Sequence, residues 1–172
     1  MDLSELCPSD FESVFELWRR CLNERWPISE KDLKLYLFSE LNGIDKINLG
    51  VMDGDDAVAM ISSHRSGKSA GILLVLVAPE HQRKGVGRRL VSEVTRRHEN
   101  AGVAQIKVGS VNCGYLWPGA PDDCLGAKPL FHSLGFETGS MYSLVLDTTD
   151  YAARESCPDG VSIRQLGANE SE

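Results

Sequence analysis

Residues Gln82-Arg83-Lys84-Gly85-Val86-Gly87 have the types and the spacing to hold an anion. They come after an apolar run, Ile72 to Ala78, and Pro79, and they lead into an amphipathic segment that reaches Asn100. A strand that empties through a glycine-containing loop into a helix presents free backbone N–H groups at the helix start, where the dipole also favours negative charge. Gly85 and Gly87 suit such a cradle, because a residue without Cβ reaches unusual dihedrals and lets a bulky anion come close to the main chain. Arg83, Lys84 and Arg88 lie within a turn of the loop and can complement a pyrophosphate or a 3′-phosphate. For Arg96 and Arg97, further along the same segment, a solvated helix face is the reading. Two rival phosphate motifs fail. Gly67-Lys68-Ser69 imitates the end of a P-loop, but the glycine required five residues earlier is Ser62, and the stretch reads as a hairpin turn. Gly85-Val86-Gly87 lacks the third glycine of a dinucleotide fingerprint, since Leu90 stands there.

The elements that must position this loop can be read from periodicity. Ser9-Asp10-Phe11-Glu12 spells a capping box that opens a helix with Phe11, Val14, Phe15, Trp18, Cys21 and Leu22 at helical spacing. Arg25-Trp26-Pro27 breaks it. Ser29 caps a second helix with Leu33, Tyr36, Leu37 and Leu41 on one face and Asn42-Gly43 as its stop. Ile47 to Met52 and Ala57 to His64 read as strands around an Asp53-Gly54-Asp55-Asp56 turn, and Arg65 to Ser69 turns into the strand Ile72 to Val77. Short turns imply an antiparallel meander, whereas the helix after the loop carries the chain across to a parallel neighbour, Gln105 to Ser110. That helix buries Leu90, Val91, Val94 and His98, and Ala101-Gly102 ends it. Val111 to Leu125 is a long irregular segment with Tyr115-Leu116-Trp117-Pro118-Gly119 at its centre. A short helix then reaches Phe131-His132-Ser133-Leu134-Gly135-Phe136, with Gly135 as its stop.

The 172 residues and 42% hydrophobic composition fit one domain with a sizeable core. No apolar run approaches the ~20 residues of a membrane span, and the acidic N-terminus is unlike a signal peptide, so a cytoplasmic protein with no membrane role is expected. Cys7, Cys21, Cys113, Cys124 and Cys157 are odd in number and form no C-x-x-C pair, which indicates neither a disulfide framework nor a zinc or other metal site. A net charge of −7 argues against nucleic acid and favours a cationic partner such as an amine.

The stretch Leu73 to Val91 resembles the acetyl-CoA motif of the GCN5-related N-acetyltransferases (GNAT), a strand ending V-x-P followed by Q/R-x-x-G-x-G/A and a helix. Val77, Pro79, Gln82, Gly85 and Gly87 fill those positions, and Leu134-Gly135-Phe136 matches the end of the family's last helix. The resemblance covers about Ser9 to Leu146. It implies an α/β (α+β) mixed sheet, mostly antiparallel with one splayed parallel pair, flanked by about four helices. The domain would span 1–146. Residues 147–172 would be a linker and C-terminal strand that either completes this sheet, the preferred reading, or begins a second copy, since the Trp-Pro-Gly variant resembles a branch built as tandem domains.

The same resemblance implies the activity: transfer of an acetyl group from acetyl-CoA to an amine of a small molecule or protein by direct attack. The alternative is an acyl-CoA-binding regulatory module without turnover. Leu76, Val77, Gln82, Arg83, Lys84, Gly85, Val86, Gly87, Arg88 and Phe131 would meet the cofactor. The strand Gln105 to Ser110 would splay from its neighbour after Leu76 to admit the pantetheine arm, and an N–H at Leu76/Val77 would polarise the thioester carbonyl. The two N-terminal helices would roof the acceptor site, making Trp18, Trp26, Tyr36 and Trp117 candidates for touching it, with ordinary packing as the other reading. Many relatives carry a tyrosine general acid where this chain has Phe131, and Tyr115, Tyr142 and His132 are the candidates to replace it. Glu24, Asp122, Asp123 or a water could act as base, and Cys113 and Cys124 raise an acyl-cysteine route. A homodimer is left open.

Overall fold

Nine to eleven residues of β-branched and apolar sequence between two-residue turns make long antiparallel strands, and three of them form the centre of the sheet. The structure is a computed structural model and describes residues 2–22, 26–109, 119–121, 124–137 and 139. All of these belong to one compact unit, Met1–Met141. The strands are β1 (Leu3–Glu5), β2 (Asp45–Asp53), β3 (Asp56–Ser66), β4 (Ser69–Val77) and β5 (Gln105–Val108), in the spatial order β1-β2-β3-β4-β5. The first four are antiparallel neighbours, and β5 lies parallel to β4. Pairing of Asp53 with Asp56 and of Ser66 with Ser69 closes both hairpins on two residues, with Gly54 and Gly67 at φ +62° and +57°.

The helices are α1 (Phe11–Leu22), α2 (Glu30–Phe38), α3 (Val86–Asn100) and α4 (Ala127–His132). One face of the sheet, with Met60, Leu74 and Leu76, packs on Val14, Leu17 and Trp18 of α1 and on Leu33 and Leu37 of α2. The other face, with Leu49, Val51, Ile61 and Ile72, packs on Leu90, Val91 and Val94 of α3 and Phe131 of α4. Each fully buried aliphatic side chain contributes about 1.5–3 kcal/mol. The last turn of α2 has its carbonyls satisfied by the sheet: Lys46 Nζ donates to Tyr36 O and Asn48 Nδ2 to Leu37 O. A cation at a helix C-terminus also complements the dipole, although burial pushes the Lys46 ammonium down from its ordinary pKa.

Several expectations are corrected. The capping box before α1 uses Cys7 and Asp10, not Ser9 and Glu12. Asp10 Oδ2 accepts from the Cys7 N–H at 2.8 Å, and Pro8–Asp10 forms a 3₁₀ turn ahead of the helix. Pro8 at the first turn position explains the shift, because proline fixes φ there and gives up no needed donor. Ser29 does cap α2, accepting from Asp32 N at 3.1 Å, but the helix stops at Phe38 and leaves Leu41 45% exposed. β1 is an addition to the expected strands. It is three residues long and pairs with β2, and Arg97 of α3 reaches over to Glu5 at 2.7 Å. The expected linker and C-terminal strand of 147–172 lie outside the described residues, as does Arg25 of the expected break Arg25-Trp26-Pro27.

Gly50 on β2 lies beneath Leu6: a Cβ there would stand 2.6 Å from Leu6 Cδ2 and 2.9 Å from Cγ. Gly50→Ala is therefore expected to lower unfolding free energy by about 1–3 kcal/mol through overpacking, measured by denaturant titration, while Asp55→Ala in the exposed β2–β3 turn has little effect.

Candidate active site

Among the described residues the end of β4 has two unlike edges. Ala78 N–H donates to Val58 O at 2.9 Å, and the register runs unbroken from Ala59↔Val77 to Ser62↔Leu74. Alternation in an antiparallel ladder then turns the main-chain groups of Leu74 and Leu76 toward β3, and those of Val75 and Val77 toward the opposite edge. On that edge the described pairing with β5 ends at Ile72↔Val108, closed by Gly109 N–H to Ile72 O at 2.9 Å. The divergence expected after Leu76 falls opposite chain beyond Gly109. Residues 110–118, next along the chain after Gly109, lie outside the described residues. The Leu76 amide belongs to the β3 ladder and its side chain to the core, so Leu76 cannot polarise a carbonyl at the open edge.

A bulge accompanies the change. Ser62 pairs with Leu74 but Ser63 with Ile72, leaving Leu73 as the extra residue on β4. Consequently Ile72 packs on the α3 face and Leu74 on the α1/α2 face, which strict alternation forbids for residues two apart.

Past Val77 the chain makes a 3₁₀ turn, Pro79–His81, and enters the loop. Gln82 Nε2 donates back to Val77 O at 3.0 Å and so latches the loop to the strand end. Arg83 holds φ +60° and Gly85 φ +81°, the left-handed region that costs an L-residue about 1–2 kcal/mol. Gly85 is the N-cap of the 15-residue α3, no side chain caps it, and the first turn holds no acid. The amides of Val86, Gly87 and Arg88 precede the first intrahelical partner, since Arg89 N–H is the one that bonds Gly85 O, at 3.0 Å. Arg83, Lys84 and Arg88 surround this end, and Arg88 Nη2 is anchored to Ser133 Oγ at 2.8 Å. Uncapped amides, the positive end of a dipole, a chain reversal that spares Cβ atoms and three bases fit a diphosphate.

The two glycines have different reasons. Gly85 supplies the left-handed corner, with open space where a Cβ would point. Gly87 is helical, and a Cβ on it would lie 3.4 Å from Leu130 and 3.6 Å from Val77. Both are ordinary contacts, so a methyl is accommodated where α4 and the end of β4 meet α3.

Phe131 is buried against Phe136, ring centroids 5.4 Å apart and edge-on. His132 next to it is exposed at the end of α4. Trp18 has no exposed surface and belongs to the core; no acceptor can reach it, and the expectation that it touches one is corrected. Trp26 and Tyr36 are half-buried on the same cluster, with Tyr36 stacked on His64 at 5.3 Å. Tyr115, Trp117 and Tyr142, like Glu24, Cys113, Asp122 and Asp123, lie outside the described residues.

Three side chains near the strand end carry no functional signal in the sequence. Cys21 of α1 approaches Val77 O at 3.6 Å, and burial pushes its thiol up to about 11. Arg20 bonds Ala57 O at 3.1 Å and Glu80 Oε1 at 3.2 Å, joining α1 to the turn that precedes the loop. Only contact geometry reveals them. A shallow hollow of about 450 Å³ bordered by Leu3, Arg89, Glu93 and Arg96 runs along the side of α3 and touches none of residues 82–88. Among the described residues no three His, Cys, Asp or Glu side chains converge on a metal position, and no helix is long and apolar enough to cross a membrane.

Among the described residues, a mixed sheet with one parallel pair beside a strand–loop–helix anion cradle makes an α/β protein fitted to hold a phosphate group. The model of the acetyltransferase (GNAT) family matches residues 11–114, and the chain belongs to that family. It is an acetyltransferase that uses acetyl-CoA and acts on an amine. Among solved structures it is similar to the ribosomal-protein-S18-alanine N-acetyltransferase from Escherichia coli, with 22% identity and a TM-score of 0.65 over 87% of this chain and 85% of that one. It is similar also to the PaiA N-acetyltransferase of Thermoplasma acidophilum, solved in complex with coenzyme A, with 16% identity, a TM-score of 0.60 and coverage of 82% and 92%. A tandem GNAT protein of the clavulanic acid pathway matches over 43% of its own length and 78% of this chain, with 16% identity and a TM-score of 0.63. At these identities the likeness is one of fold. No curated protein sequence matches the chain.

The separate roles of the glycines are testable by denaturation. Gly85→Ala is expected to lose about 1–2 kcal/mol to backbone strain, whereas Gly87→Ala, whose methyl would meet Leu130 at an ordinary 3.4 Å, is expected to change stability by less than about 0.5 kcal/mol.

Proposed function

We propose that the main-chain amides of residues 82–88 grip the diphosphate of acetyl-CoA and that the open edge of β4 holds its arm. The observation that carries this reading is the uncapped, acid-free start of α3 behind a left-handed Gly85. Bound there, acetyl-CoA supplies the thioester that the acceptor amine attacks. The protein's part is mostly main-chain work. Charge-assisted hydrogen bonds from the loop each contribute about 1.5–3 kcal/mol before desolvation. Arg83, Lys84 and Arg88 add charge complementarity, and Gln82 acts through the loop by holding Val77 O.

Val75 and Val77 turn their N–H groups to the open edge. With the diphosphate anchored at the loop, Val77 is the nearer of the two and serves the arm, while Val75, one pleat further in, serves the thioester carbonyl. Such a donor stabilises charge that grows on the oxygen during attack. Trp26, Tyr36 and Trp117 remain the residues assigned to the acceptor side. The departing sulfur takes its proton from Tyr115, Tyr142 or His132, because buried Phe131 offers none. A positioned acid contributes about 10² to 10⁴ in rate, so the missing phenol slows transfer without abolishing it.

The acceptor is a cationic amine on a small molecule or a protein, consistent with the charge of −7, and the enzyme works in the cytoplasm. The similar Escherichia coli structure is of an enzyme for a protein alanine, which makes peptide N-termini one class to include in a panel.

Thiol release measured over a panel of polyamines, aminoglycosides, lysine and N-terminal peptides is expected to show CoA release that depends on at least one amine. Acetyl-CoA binding with no such release across the panel would favour the non-catalytic module. Gly85→Glu, which sets bulk and negative charge against the diphosphate, is expected to weaken acetyl-CoA binding in calorimetry by about a hundredfold or more with the circular dichroism spectrum retained; unchanged affinity rejects the loop as the site.

A further inference from the structure

The two serines at the β4 bulge lie on opposite faces, and Ser63 points toward α3. Its hydroxyl donates to Gly71 O at 2.8 Å and meets His98 Nε2 at 2.7 Å, with both side chains wholly buried. A hydroxyl has one proton. Since the carbonyl must receive it, the imidazole Nε2 carries the proton of the second bond, and His98 is neutral with a bare Nδ1. That Nδ1 is buried and has no hydrogen-bond partner among the described residues.

The position of this chain of bonds matters. It clamps Gly71 and Ser63 at the place where the β3–β4 register slips around Leu73 and where the described β4–β5 pairing stops at Ile72. The edge that opens beyond it, Leu73 to Val77, is the one assigned to the arm of acetyl-CoA.

We propose that Ser63 and His98 are positioning residues that lock the β4 bulge, and that protonation of His98 releases the lock and weakens binding of acetyl-CoA. The inference rests on the reading of that edge as the cofactor site. A second proton on His98 would need an acceptor at Nδ1, where the described residues offer none, and would place a cation in the core. The charged side chain acting on it is Arg65 of β3, a like charge. From β4 the facing group is the Gly71 carbonyl. On its own helix Arg97 is committed to Glu93 and Glu5. Burial, and after it Arg65, hold the imidazole below its ordinary value of 6.5. With the folded pKa depressed, the lock is fully present above about pH 6.5 and is lost as pH falls toward the lowered value.

The test is acetyl-CoA affinity by calorimetry between about pH 7.5 and 5.5, for the wild-type chain, His98→Gln and Ser63→Ala, with folding monitored by circular dichroism. Glutamine can keep a donor toward Ser63 but cannot titrate. The coenzyme's own phosphate titrates in the same range, and it cancels when slopes are compared between variants. Wild type is expected to lose about threefold or more in affinity over this range beyond any loss by His98→Gln. Ser63→Ala is expected to bind about threefold or more weakly at the upper pH and to show a shallower slope than wild type. Coincident slopes for wild type and His98→Gln, or wild-type affinity in Ser63→Ala, overturn the proposal. Should His98→Gln not fold, a slope for Ser63→Ala equal to that of wild type overturns it. No binding by wild type at the upper pH removes the cofactor reading itself and this proposal with it, whereas binding with coincident slopes leaves that reading standing.

Discussion

One strand with two unlike edges governs this molecule. β4 is hydrogen-bonded to β3 along its whole length but to β5 only as far as Ile72 among the described residues. Backbone polar groups in a protein interior must find partners, and among the described residues none is paired with β4 beyond Ile72 on the edge that the Val75 and Val77 amides face. In the proposed function a pantetheine arm, which carries amides of its own, takes that place. The bulge at Leu73, the latch from Gln82 to Val77 O at 3.0 Å and the pairing of Arg20 with Glu80 all act on the two ends of this short segment.

The proposed site draws on two faces of the sheet. α3 and its loop approach from one side with positive charge and unbonded amides. α1 and α2 approach from the other with Trp26, Tyr36 and the Cys21 thiol. Because burial raises Cys21 to about 11, it remains a neutral, weakly polar wall near the strand end.

Much of this is legible in the sequence because it is local. The strand, the loop and α3 succeed one another within about thirty residues, and each hairpin announces itself by a glycine at a two-residue turn. The hidden parts depend on long-range packing. β1 is three residues long and owes its existence to β2, far away along the chain. The run Ile72-Leu73-Leu74 is apolar throughout, so its letters cannot tell a regular strand from a bulged one, although the side chains of Ile72 and Leu74 end on opposite faces. Trp18 keeps the same helical stripe whether it lines a core or a substrate cleft, and only its complete burial decides. Gly85 and Gly87 look alike in the motif, yet one is needed for its left-handed dihedral while the other is helical and has room for a methyl.

The outer border of the sheet carries a consequence of its own. β1 offers three residues, Leu3, Ser4 and Glu5, and the last is drawn over by Arg97. A stub this brief, with a carboxylate on it, makes a poor template for lateral stacking of further chains, so among the described residues this flank resists fibril growth by its shortness and charge.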